Sequence, residues 1–135
     1  MTFLVDANIL SEPTRDRPNA RVVAWLEANE RDFVVDSVIL GEIAIGILVL
    51  PRGRKRTQLE RWFDALVERI DCLPWDAAIS RRWAQLVANL GKKGHTLPVL
   101  DSMIAATALA NGLTLATHNV RDFQNAGVRV FDPFV

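Results

Sequence analysis

The chain has 135 residues, 50% of them hydrophobic and 24% charged, which suits one compact domain spanning residues 1–135 and excludes a disordered or low-complexity polypeptide. Its formal net charge is zero, so bulk charge does not hold it to nucleic acid and only local basic patches could do so. No apolar stretch reaches the roughly 20 residues of a membrane span. Met1-Thr2-Phe3 does not open a signal peptide, and the lone Cys72 allows no internal disulfide, so a cytoplasmic protein with a structural thiol is expected.

Phe3-Leu4-Val5 is a short apolar run of the kind a buried parallel strand shows. Ala7 to Glu12 predicts a short helix stopped by Pro13, and Arg15 to Asn19 a loop. Val22, Val23 and Leu26 predict a helix over 20–29. Phe33-Val34-Val35 is a second strand, after which Ser37 caps an apolar helix that Pro51 ends. Thr57 to Arg69 is amphipathic, Ile70 to Leu73 a third strand, and Asp76 the cap of a further helix. Gly91-Lys92-Lys93-Gly94 reads as a turn. Pro98 opens a helix that Gly112 closes, and Leu113–Thr117 and Val128–Phe131 are the last strands. Strands alternating with helices predict an α/β fold, a parallel sheet with helices on both faces whose function gathers at the carboxyl ends of the strands.

Four carboxylates stand in apolar surroundings. Asp6 ends the first strand, Glu42 is the only charge between Ser37 and Leu50, Asp101 sits in the first turn of the Ala-rich helix, and Asp122 precedes Phe123. Taken singly, Asp6 is a helix cap, Asp101 complements a helix dipole and Asp122 makes a turn. Glu42 has no such explanation short of a buried pair with an arginine. Together the four would repel one another unless some stay protonated or a cation joins them. An all-oxygen donor set suits Mg²⁺ or Mn²⁺, and His95, His118 and Cys72 lack the spacing of a zinc site. Such a site suits phosphoryl chemistry, in which the metal acidifies a water and neutralises the phosphodiester.

The ordered pieces Leu4-Val5-Asp6-Ala7-Asn8-Ile9-Leu10-Ser11-Glu12, Ser37-Val38-Ile39-Leu40-Gly41-Glu42-Ile43, Asp101-Ser102-Met103-Ile104-Ala105-Ala106 and Thr117-His118-Asn119-Val120-Arg121-Asp122-Phe123 span nearly the whole chain. With them the sequence resembles the PIN-domain ribonucleases, in particular the VapC and FitB-like toxins of toxin–antitoxin pairs. The resemblance implies a five-stranded parallel sheet flanked by helices. It implies a Mg²⁺- or Mn²⁺-dependent endoribonuclease that hydrolyses RNA. A VapB-like antitoxin would inhibit it, and the toxin would be a homodimer, in a heterotetramer or larger assembly with the antitoxin. By position it assigns Asp6, Glu42, Asp101 and Asp122 to metal binding and catalysis, with Asn8, Thr117 and Asn119 as supporting residues. Two departures stand out. Ala7 replaces a frequent Thr, and Asn119 stands where some relatives carry an Asp, so Asn119 and Asp122 compete for the fourth position.

These departures leave room for an RNA- or partner-binding module that does not cut. A phosphoacceptor receiver domain also gathers acids at strand ends, but it needs a lysine after a late strand and this chain has none after Gly94. Arg52, Arg54, Lys55, Arg56 and Arg61, opposed only by Glu60, read as a phosphate-contacting stretch or as a solvated helix start. The segments 17–29 and 57–69 offer apolar surface to a second subunit or to a helix of the antitoxin. The four tryptophans read as core or interface residues.

Overall fold

The computed structural model describes residues 2–135; Met1, where the expectation about a leader begins, lies outside them. Strand β1 (Phe3–Val5) leads through α1 (Ala7–Leu10), a 3-10 turn over Glu12–Thr14 and α2 (Ala20–Asn29) to β2 (Phe33–Asp36). Helices α3 (Ser37–Leu48) and α4 (Arg54–Arg69) follow, then the short β3 (Cys72–Leu73). Helices α5 (Ala77–Lys92) and α6 (Val99–Asn111) lead to β4 (Thr114–Ala116), and α7 (Val120–Phe123) to β5 (Val130–Phe131).

All pairings are parallel, in the order β3-β2-β1-β4-β5. The chain steps from β1 outward to β3, then returns across the sheet to β4 and continues the other way to β5. Right-handed connections place the earlier crossovers on one face and the later ones on the other. The reversal puts a topological switch point between β1 and β4, the position where open α/β sheets form their clefts. Leu4, Val5, Val34, Val35, Leu115 and Ala116, fully buried on three central strands, form the spine of the core. The central strands are buried on both faces, whereas the two-residue edge strands β3 and β5 are partly exposed.

Several local expectations shift for physical reasons. Ser37 is not the cap of α3; Asp36 is, its side chain accepting the Ile39 N–H at 2.8 Å. Helix α4 starts three residues earlier than the apolar pattern, because its first turn is basic and exposed. The turn expected from Gly91 is partly helix, since α5 runs to Lys92 before Gly94 takes φ 74°. Helix α6 begins at Val99 with Pro98 as its cap, and Gly112 closes it in the left-handed conformation that glycine adopts without strain. Cys72 is exposed rather than structural, because β3 is an edge strand of two residues. Trp25 packs on Phe3, Phe33 and Phe131, whereas Trp75 and Trp83 meet edge to face at 6.1 Å. Trp83 donates to the Ser102 hydroxyl at 2.9 Å and so ties α5 to the first turn of α6, beside Asp101. No helix among the described residues is long and apolar enough to cross a membrane.

Candidate functional site

Asp6 follows the last residue of β1 and is 5% exposed. Its Oδ1 accepts the Ala7 N–H at 2.9 Å, which caps α1, and its Oδ2 accepts the Thr117 hydroxyl at 2.8 Å. Thr117, fully buried, follows β4 and in turn accepts the Asn119 N–H at 3.1 Å. The two central strands that flank the switch point are therefore joined at their carboxyl ends by an acid and a hydroxyl. Burial pushes the Asp6 carboxyl above its ordinary range, against the opposing pull of these two hydrogen bonds.

Glu42 reaches the same rim from the second turn of α3. Its neighbours do not enclose the helix on all sides: Ile45 and Leu48 are exposed, and Glu42 itself is half-buried. Even so its Oε1 is buried and has no hydrogen-bond partner, and no arginine pairs with it among the described residues. Burial, then repulsion from Asp6, Asp101 and Asp36, pushes its carboxyl up to about 7. Asp101, in the first turn of α6, is raised by burial and by repulsion from Asp6 and Asp122. Four sequence-predicted acids thus converge on one edge of the sheet from β1, α3, α6 and α7. Asp122 is the outermost, exposed on α7. Asn8 and the Asn119 side chain are exposed and make no hydrogen bond to the acids; Asn119 contributes through its backbone N–H.

The sequence reading missed a fifth acid. Asp36 is 2% exposed; Oδ1 caps α3, and Oδ2 is buried without a partner. The Thr107 hydroxyl donates to the Met103 carbonyl at 3.3 Å and lies close enough to Asp36 to draw its carboxyl down. Its carboxyl is raised chiefly by burial, with a contribution from Asp6. The signal was present: Phe33-Val34-Val35-Asp36 repeats Phe3-Leu4-Val5-Asp6, and the register sets Phe3 opposite Phe33 and Leu4 opposite Val34. The two aspartates follow at the same level on neighbouring strands. Glu12, 3% exposed, was also passed over; it receives the Asn19 N–H at 3.3 Å and pairs with Arg15 at 3.4 Å.

Two orphaned carboxylate oxygens in an all-acid, all-oxygen surround fit a hard divalent cation and not zinc. Asp6, Glu42 and Asp101 are the side chains that would hold such an ion. No three His, Cys, Asp or Glu side chains among the described residues already close on a single metal position, so binding requires the acids to draw together.

The PIN domain family model matches residues 3–128. The chain belongs to the PIN-domain family. It is 33% identical to Toxin FitB of Neisseria gonorrhoeae over 98% of both chains. It is 30% identical to the VapC ribonuclease Y4jK of Sinorhizobium fredii over 98% of this chain and 97% of that one. The structure of FitAB bound to an IR36 DNA fragment superposes with a TM-score of 0.92 at 31% identity, covering 99% of this chain and 96% of the other.

Away from the acid rim, α2 and α4 border a groove of about 530 Å³, lined by the apolar Val23, Leu26, Phe33, Trp62 and Leu66 and by the charged Glu27, Glu30, Arg31, Arg69 and Asp71. The groove lies between the two segments singled out in the sequence as apolar surface.

Proposed function

We propose that this chain is a Mg²⁺- or Mn²⁺-dependent endoribonuclease, the toxin of a toxin–antitoxin pair, acting in the cytoplasm. The observation that carries the reading is Glu42 Oε1. A structural glutamate in an apolar helix would be given an arginine or a donor; this one is given Asp6, Asp101 and Asp36. Likeness to a ribonuclease and to a toxin over almost the full length supports the chemistry.

When bound, the ion neutralises the gathered acids and the RNA phosphate and acidifies water. The chain's own residues supply the rest. Thr117 and the Ala7 N–H fix Asp6 so that its carboxylate does not turn away from the rim. Glu42, whose Oε1 has no other partner, would accept a proton from the water that attacks phosphorus. Cleavage of the P–O bond then leaves one fragment with a phosphate and the other with a hydroxyl. Asp101 is held by the Trp83–Ser102 contact that fixes the start of α6, and Asp122 stands outside it, toward solvent.

The groove between α2 and α4 suits an antitoxin segment that docks as an amphipathic helix. Ile45, Leu48 and Val49, exposed at the end of α3, suit a homodimer contact, within a heterotetramer or larger complex with antitoxin.

The test is RNA cleavage by purified protein with Mn²⁺, with chelator, and in Asp101→Asn. Cleavage that needs metal and vanishes in the variant is expected; no cleavage of any RNA in Mn²⁺ sinks the nuclease reading. A second reading, a module that binds RNA without cutting, is favoured by the acids not closing on one position. RNA retention without strand scission decides for it.

A further inference from the structure

A second, shallower cleft of about 700 Å³ is lined by Glu12, Arg15, Asp16, Arg17, Asn19, Lys55 and Phe134, three cations against two acids. It is connected to the site through two short routes. Phe134 packs on the His118 ring at 4.2 Å, and His118 follows Thr117, the residue bonded to Asp6. On the other side Glu12 stands just beyond α1, the helix that Asp6 caps.

Both walls are built. Asp132 receives the Phe134 backbone N–H at 2.9 Å on Oδ1 and faces His118 Nδ1 at 3.1 Å on Oδ2, so one carboxylate holds the imidazole and the backbone of Phe134. Glu12, buried at the foot of the 12–19 loop, ties Arg15 and the Asn19 N–H, and Asn19 caps α2 through the N–H groups of Arg21 and Val22. The loop is thereby held with Arg17 outward, across from Lys55. Arg17 and Lys55 are exposed, and neither makes an ion pair or hydrogen bond among the described residues. From Arg52 to Gln58 the facing segment carries four cations and no acid. Aromatic faces next to uncommitted cations are what a single nucleic-acid strand needs: stacking for bases, point charges for phosphates, and no reading of sequence.

We propose that this cleft is the track for single-stranded RNA flanking the cut, with Arg17 and Lys55 on its phosphates and the His118–Phe134 pair under a base. The proposal rests on the nuclease reading above and adds where the substrate lies. Glu12 is a positioning residue that sets the Arg17 side of the track.

The experiment measures binding of a short fluorescent single-stranded RNA by anisotropy across a salt series, in an Asp101→Asn background that does not cut. Arg17→Ala/Lys55→Ala should weaken binding about tenfold at low salt and flatten the slope of log affinity against log salt by about 1 to 2. Phe134→Leu should weaken it about fivefold with the salt slope unchanged. Arg81→Ala, on exposed α5 surface, should change neither. In the cleaving protein the double variant should raise KM and leave kcat. Unchanged affinity and salt slope in the double variant overturn the track, as does equal preference for duplex DNA. Wild-type protein that cuts RNA while the double variant keeps its KM refutes the track alone; wild-type protein that neither binds nor cuts RNA refutes the nuclease reading with it.

Discussion

The Thr117 hydroxyl donates to Asp6 Oδ2 at 2.8 Å, binding the carboxyl end of β4 to that of β1 at the point where the sheet reverses its winding. The bond fixes one acid oxygen, and the Ala7 N–H fixes the other. Thr117→Val keeps the shape and removes the donor. We expect RNA cleavage to fall roughly 10- to 100-fold, the usual effect of losing a residue that orients a metal-binding acid. Stability should fall only by about 1 kcal/mol, because Asp6 keeps one partner. Thr117→Ser should recover most of the activity. Steady-state cleavage rates and urea unfolding of the three proteins check this; full activity in Thr117→Val counts against an orienting role.

The pH dependence of the metal-free fold follows from Glu42. Its carboxyl is raised from 4.5 to about 7, so folding favours the protonated form. The stabilising contribution is fully present below 4.5 and is lost as the pH rises through 7. Asp6, Asp36 and Asp101 shift in the same direction. In chelator, Tm should decline as the pH rises across that window, and Glu42→Gln should show a shallower decline with a higher Tm above it. Mn²⁺ should restore stability most at the alkaline end, where all the acids are ionised. A Tm that rises with pH in chelator contradicts this account.

Much of this site was legible in the residues, and the reason is chemical. A carboxylate at the end of an apolar strand or inside an apolar helix is costly, so Asp6, Glu42 and Asp101 announced themselves. The alternating pattern gave the parallel sheet because strands buried on both faces read as unbroken apolar runs. Other features depended on register, which no local pattern carries. Asp36 drew no reading from its local sequence, and the pairing of Phe3 with Phe33 sets it level with Asp6. The sequence marks Glu12 only as the end of a short helix, and the fold buries it against Arg15 and Asn19. Asn8, assigned by likeness, is exposed on α1 and makes no hydrogen bond to the acids.

Asp36 divides two effects that a single substitution can separate. Its Oδ1 caps α3, and its Oδ2 is a buried, unpartnered oxygen. Asp36→Ser keeps a capping acceptor while removing the charge. In chelator at neutral pH the variant should melt about 3 to 5 °C higher, the shift expected from relieving roughly 1 kcal/mol in a chain of this size. Asp36→Ala, which loses the cap as well, should gain less. Calorimetry on both proteins measures this. A lower Tm in Asp36→Ser than in the parent contradicts a net cost of the buried charge.

The end of α3 leaves Ile45, Leu48 and Val49 at 58%, 57% and 76% exposure, a stripe at helical spacing open to solvent. Isolated apolar side chains on a surface need no explanation, but three on one helix end form a patch. A two-fold axis through it would set the patch against its own copy, the commonest way such surfaces are covered. Ile45→Glu/Leu48→Glu places like charges at that contact. Light scattering should then report a monomer where the parent is a dimer, while the monomer's unfolding in urea stays close to that of the parent chain, since neither side chain joins the core. Glu42 stands three residues before Ile45 on the same helix, so loss of the contact should loosen this wall of the acid rim. Reduced affinity for Mn²⁺ in the monomeric variant would report that loosening. A variant that remains dimeric assigns the dimer to another face.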